Sequence, residues 1–326
     1  MKNAPKEATL KVEEKLDNIE SYRRRKTPIE WMASYTGQKR MTTILFLLIP
    51  VTLLIVFTFL PAIQMLIYSF QDRNIFGIGA TWVGFKNYRT IFTETTYILT
   101  LRTSLYYMVG SVVQISIALL FATIICTKLR LINLFKGIIF FPYMMNGIAV
   151  ALIFRRFFQK GDGITNTEGT LNSILAMFGV EPIRWLMDSP VIANFSLVFA
   201  SVWRYIGFDI IMFVAAIMAI APELIEASDI DGANAWQRFC HIIVPGIKYI
   251  LGLQLILAIR GAVSVFEIPY VITSGRLGTN TFVIQTMNIA FESKKVGLGS
   301  AMGIVLLIII LIVTMLQKAL IKEERL

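Results

Sequence analysis

Histidine occurs once, as His241, and cysteine twice, as Cys126 and Cys240, in a chain of 326 residues. Two thiols far apart in sequence and a single imidazole give neither metal-ligand spacing nor a disulfide framework. The dipeptide Gly-Lys never occurs, so the chain has no G-x-x-x-x-G-K-[ST] loop with which to cradle a nucleotide phosphate. Charge is also scarce. Only 16% of residues are Asp, Glu, Lys or Arg, against about 25% in soluble domains. The apolar set reaches 56% and mean hydropathy is +0.67. That balance excludes a water-soluble enzyme and a disordered chain. The net charge of +10 does not argue for nucleic acid, because ten of the 31 basic residues precede position 41. Basic residues ahead of a first apolar run are what the positive-inside rule expects at a membrane.

Uncharged apolar sequence is abundant. Residues 41–71, 103–127, 137–154 and 296–317 contain no charged side chain, and about 20 apolar residues cross the hydrocarbon core. Two further apolar stretches are interrupted, one by Arg204 and Asp209 and the other by Arg260 and Glu267. The expectation is an all-α membrane protein with six transmembrane helices at about 42–70, 102–127, 136–155, 190–220, 246–268 and 297–317. They form a domain over 41–320, between tails at 1–40 and 321–326, with a loop at 221–245. A cleavable signal peptide is not expected, since the first apolar run starts at Met41 and is too long for one. With both termini cytoplasmic, inner segments carry 18 Lys and Arg and outer ones 11, which sets the expected orientation. For the tail, with Arg23-Arg24-Arg25, two readings stand: a short helix on the anionic leaflet, or a solvated segment. The second outer loop is expected to hold a short helix around Thr170–Phe178 and a Gly161-Asp162-Gly163 turn.

The 221–245 loop departs from the positive rule: Glu223, Glu226, Asp229 and Asp231 stand against Arg238. Pro222 and the acids suit a helix start. Gly232 permits a reversal after two turns, and Ala235, Trp236 and Phe239 begin a second short amphipathic piece before Pro245. This spacing predicts a helix–turn–helix, either an ordinary connector or a docking surface. Small, apolar and acidic residues on one short helix suit a partner's groove.

Glu226-Ala227-Ser228, Asp231-Gly232-Ala233, Phe239, Ile242 and Pro245 resemble the EAA loop of ABC importer permeases, with Ser228 and Val244 as mild departures. Three other segments resemble the carbohydrate-uptake members related to the larger membrane subunit of the maltose transporter. They are Val83–Tyr88, Phe140–Tyr143 and Phe266–Thr273, and the likeness spans about 41–320; Asn166–Thr170 looks like an insertion. The resemblance implies the type I importer permease fold in a bacterial plasma membrane. It also implies a second permease subunit, two ATPase subunits, an extracytoplasmic solute-binding protein and a sugar or oligosaccharide substrate. No cofactor is implied on this chain; ATP and Mg2+ belong to the ATPase. Glu226, Ala227, Ser228, Asp231, Gly232, Ala233, Phe239 and Pro245 are then the ATPase-coupling residues. Glu226 makes a polar contact, Gly232 the turn, and Ala227 and Ala233 the close packing. Asp231 is alternatively the cap of the following helix.

The resemblance places the solute path at Arg204, Tyr205 and Phe208 on the fourth span and at Ala258, Gly261, Ala262 and Val265 on the fifth, with Asn146 on the third as a further candidate. Aromatic faces suit sugar C–H surfaces and Arg204 can donate to hydroxyls or a carboxylate. Equally, Arg204 can pair with a partner subunit, and the aromatics can be packing residues. At helical spacing, Arg260, Ser264 and Glu267 fall on the face opposite the path and read as a structural seam. Alternatives in substrate are glycerol phosphate or a polyamine. A stand-alone secondary transporter is the rival class, but it predicts internal repeats that the chain lacks.

Overall fold

A computed structural model describes residues 35–128, 132–161 and 168–320. The tail before Tyr35 with its Arg23–Arg25 cluster, Asp162 and Gly163 of the expected turn, Asn166 and Thr167 of the insertion, and residues 321–326 lie outside the described residues. Two compact units divide after Gln64. In the first, helix α1 (Tyr35–Leu54) passes through one wider turn at Ile55–Phe59 into α2 (Leu60–Ser69). Its apolar residues are exposed on every side, as in a helix whose solvent is lipid or another chain.

The second unit begins with the end of α2 and a two-residue antiparallel hairpin, β1 (Gln71–Asp72) against β2 (Thr81–Trp82). Helices α3 (Lys86–Thr93) and α4 (Thr95–Lys128) follow. The Val83–Tyr88 motif closes this corner. Gly84 takes φ +57°, the Asn87 amide donates to the carbonyls of Ser69 and Gln71 at 2.9 Å each, and Phe70 stacks on Trp82 at 5.5 Å. The second apolar helix therefore starts at Thr95 and takes in Arg102, ahead of the expected start at 102.

The third span is not continuous. Helix α5 (Ile132–Met144) and helix α6 (Gly147–Phe157) meet at a 90° bend, where 136–155 reads as one straight helix. Pro142 removes a backbone donor near the end of α5, and Asn146 turns into an extended conformation with its side chain accepting from the Ile148 N–H at 2.8 Å. Next come α7 (Thr170–Ala176), inside the expected short helix, and α8 (Pro190–Met218), which Ser189 caps. The elements that follow include α9 (Pro222–Ile230), α10 (Ala235–Arg238), α11 (Lys248–Val263), α12 (Glu267–Thr273), α13 (Phe282–Met287) and α14 (Val296–Leu320). Helices α11 and α12 form the fifth span, interrupted at Ser264–Phe266. The Thr281 hydroxyl donates to the Val265 carbonyl exposed there, at 3.0 Å, as lipid-embedded backbone requires.

Helix α8 is the central column. Its lower half buries Phe213, Val214 and Ile217 against Ile115, Ala118 and Ala122 of α4 and against Ile243 and Ile247. Its upper half buries Leu197 and Ala200 against Val150, Ala151 and Phe154 of α6 and against Ile268 and Ile272 of α12. Small residues permit the close approach that membrane helices rely on in place of a hydrophobic driving force. A Cβ at Gly207 would overlap the backbone carbonyl of Ile139, whereas one at Gly110 would meet only the Val198 side chain. Overpacking costs about 1–3 kcal/mol where neighbours can yield, and a helix backbone yields least. Gly207→Leu should abolish recovery of monodisperse protein on size-exclusion chromatography, and Gly110→Ala should lower the melting temperature only. Equal recovery of both would refute this packing.

Candidate functional site

Two regions of the second unit carry the residues singled out in the sequence. In the first, Ala221 is extended, as a residue before proline must be, and Pro222 opens α9. The helix ends on paired reverse bonds. The Ala233 N–H donates to the Ser228 carbonyl at 2.9 Å and the Gly232 N–H to the Asp229 carbonyl at 3.2 Å, with Gly232 at φ +71°. This is the glycine-dependent Schellman end. Asn234 then starts α10 through a capping box, exchanging bonds of 2.9 Å with Gln237. The capping role, which the sequence offered to Asp231 as an alternative, therefore belongs to Asn234. Asp231 closes α9 instead, because the left-handed residue at 232 needs two further positions before the chain can re-enter a helix. Arg238 pairs with Asp229 and clips the two short helices together.

Of the expected coupling residues, Glu226, Ala227, Asp231, Gly232 and Pro245 are exposed and Ala233 is half-buried. Ser228 and Phe239 point inward. Ser228 is buried and donates to the Ile225 carbonyl at 2.6 Å, and Phe239 packs against the Ile243–Ile247 core. They anchor the segment rather than present it. The exposed face carries large apolar groups instead: Ile230 at 87% and Trp236 at 71% of full exposure. His241 is held by Gln237 at 3.0 Å.

The second region is a cavity of about 550 Å3 bounded by α4, α8, α11 and α12. Arg204, Tyr205, Phe208, Ala258, Gly261, Ala262 and Val265 all line it. Asn146 does not; its side chain is used up in capping α6. Tyr143 stacks on Phe208 at 4.8 Å and meets Tyr205 edge-on at 6.1 Å. The Arg204 guanidinium lies 5.0 Å from the Tyr205 ring centre and pairs with Glu267 at 2.7 Å. Ser264 and Glu267, expected on the opposite face, thus line the cavity. The break at 264–266 resets the helical phase, which spacing along an unbroken helix cannot anticipate. Arg260 stays outside and exposed.

The Arg204–Glu267 pair also joins the two broken spans. Glu267 opens α12, and Gly147 opens α6 directly beside it; a Cβ at Gly147 would overlap both the carboxylate and the guanidinium. Deeper along α8, the Asp209 carboxylate accepts from the Gln114 amide at 2.5 Å and the Gln254 amide at 2.9 Å. Gln114, Gln254 and Tyr107 were not anticipated as cavity residues. Their signal was a polar group within an apolar helix, which seldom faces lipid.

A family model for the binding-protein-dependent transport system inner membrane component matches residues 114–325, which take in the α9–α10 pair and most of the cavity lining. The arabinooligosaccharides transport system permease protein AraP of Bacillus subtilis is 33% identical over 268 residues, 81% of this chain and 83% of that one. The osmoprotective compounds uptake permease protein GgtC of Synechocystis is 31% identical over 252 residues, 77% and 88% respectively. In fold, the chain is similar to a membrane chain of a bacterial ABC transporter that imports alginate, with TM-score 0.77, 20% identity, and coverage of 89% of this chain and 98% of that one. Helices that could span a membrane, a reversed pair of short helices between two of them and the match over residues 114–325 agree: this chain belongs to the family of inner membrane components of binding-protein-dependent transport systems.

Proposed function

We propose that this membrane component is the permease subunit of an ATP-driven importer of a sugar or oligosaccharide. The observation that carries the reading is the aromatic and polar cavity enclosed by its membrane helices, where the Tyr143–Phe208 stack, Tyr205 and Arg204 share one wall. Aromatic faces cover the C–H surfaces of a saccharide, and guanidinium and amide groups exchange hydrogen bonds with its hydroxyls. In this reading both termini are cytoplasmic. A second permease subunit completes the path, an extracytoplasmic binding protein delivers the solute, and two ATPase subunits dock on the face bearing Glu226, Ile230 and Trp236. ATP and Mg2+ belong to the ATPase, and this chain binds neither. Pumping requires that ATP favour one arrangement of the membrane helices over the other; equal affinity for both would move nothing. The short, cross-clipped α9–α10 unit suits that transmission, since the Arg238–Asp229 pair makes the two helices move together.

The test is uptake of labelled neutral mono- and oligosaccharides, glycerol phosphate and putrescine by cells with and without this gene. Loss of one saccharide, restored by a plasmid copy, is expected. Unchanged saccharide uptake with loss of another solute would overturn the reading.

A further inference from the structure

The charges around the cavity do not balance. One cation, Arg204, and two carboxylates, Asp209 and Glu267, line it. Arg204 is taken by Glu267. Among the described residues no cation pairs with Asp209; both its oxygens accept from neutral amides, those of Gln114 and Gln254, on two different helices. Asp209 is 7% exposed and Gln254 is 1% exposed, so these amides stand in for water, and acceptance at both oxygens suits an ionised carboxylate. We infer that Asp209 gives the path a net negative field, so that this permease passes uncharged saccharides and disfavours uronates, sugar phosphates and other anions.

Several features point the same way. Among the described residues, Gln254 Oε1 and Tyr107 Oη, both on cavity-lining residues, are buried with no hydrogen-bond partner, as is Nε of Arg204. A neutral hydroxyl both donates and accepts, so it serves acceptors and donors alike, whereas a carboxylate or phosphate only accepts. Arg204 and Asp209 are five residues apart on α8, or about 7.5 Å along its axis, so a solute held at Arg204 lies within the field of Asp209. With Arg204 set against two carboxylates, the cavity keeps an excess of negative charge, and excess charge in a low-dielectric wall concentrates ions of the other sign by about tenfold. The inference deepens the sugar-import reading and rests on it only in taking this cavity as the solute path.

The test needs no substrate. Cys126 and Cys240 are replaced by serine, and Ser111, which lines the cavity one turn from Gln114, by cysteine. The rates of modification by two methanethiosulfonates, one carrying trimethylammonium and one sulfonate, are measured on the native complex in detergent-opened membranes. Each rate is divided by that of a small thiol in solution. The cationic reagent should react about tenfold faster than the anionic one. Asp209→Asn and Glu267→Gln should each bring the ratio near unity, and the double variant should reverse it. Should Asp209→Asn fail to assemble, Glu267→Gln still reads the field. A ratio near unity before mutation, a ratio that neither variant moves, or no reaction with either reagent overturns the proposal. Failure of saccharide uptake with the ratio intact would instead remove the import reading and leave the cavity's charge standing.

Discussion

Gly232→Pro should strip the ATPase from the assembly purified through a tag on this chain, with loss of its ATP hydrolysis, while the membrane spans stay folded. Gly232 sits at φ +71°, and proline is locked near −65°, so the residue cannot occupy this turn at all. Its N–H donates to the Asp229 carbonyl at 3.2 Å, and proline has none to give. Losing the turn uncouples α9 from α10, separates Asp229 from Arg238 and scatters Ile230 and Trp236, which form the exposed face. Gly232→Ala is the graded control. An L-residue in the left-handed region costs about 1–2 kcal/mol, and space around this position is open, so alanine should keep the ATPase at reduced yield. Equal ATPase yield from the proline variant and the parent would show that α9–α10 does not hold the motor.

Arg204→Glu should abolish transport, and Arg204→Glu combined with Glu267→Arg should restore a measurable part of it. The guanidinium side chain is 13% exposed and pairs at 2.7 Å with a carboxylate that is 51% exposed toward the cavity. A charge at the bilayer centre costs about 2.5–3.5 kcal/mol on insertion scales. Reversing Arg204 leaves two carboxylates facing each other where α6 and α12 begin, against Gly147, which has no room to retreat. Repulsion there should pry the two broken spans apart. The swapped pair restores attraction but not the contact with Tyr205, so recovery should be partial. Uptake together with size-exclusion behaviour separates loss of function from loss of fold. If the single reversal transports normally, or the swap recovers nothing while the protein folds, the pair does not hold this corner.

Much of the helical architecture was legible because the bilayer leaves few choices. Without water to satisfy the backbone, a long apolar run must be a helix. The α9–α10 turn was legible for a different reason: Pro222, Gly232 and Asn234 act within four or five residues of themselves, through bonds their own backbone supplies. The capping role went to Asn234 rather than Asp231 for a local reason as well, the spacing after a left-handed residue. The cavity was less legible. Arg204, Tyr205 and Phe208 share its wall as expected, yet Glu267 and Ser264 join them because the fifth span breaks at 264–266. Periodicity assumes one phase, and a break of three residues rotates everything after it.

Hydropathy, glycine and proline act locally, and on their own they specify membrane helices with a reversed pair of short helices between the fourth and fifth spans. Packing between distant segments set the 90° bend of the third span, the interruption of the fifth at 264–266, the meeting of both at Arg204, and the hold of Gln114 and Gln254 on Asp209. These contacts join residues 45 to 95 positions apart. Their partners are chosen by how helices pack rather than by what lies beside them in the chain.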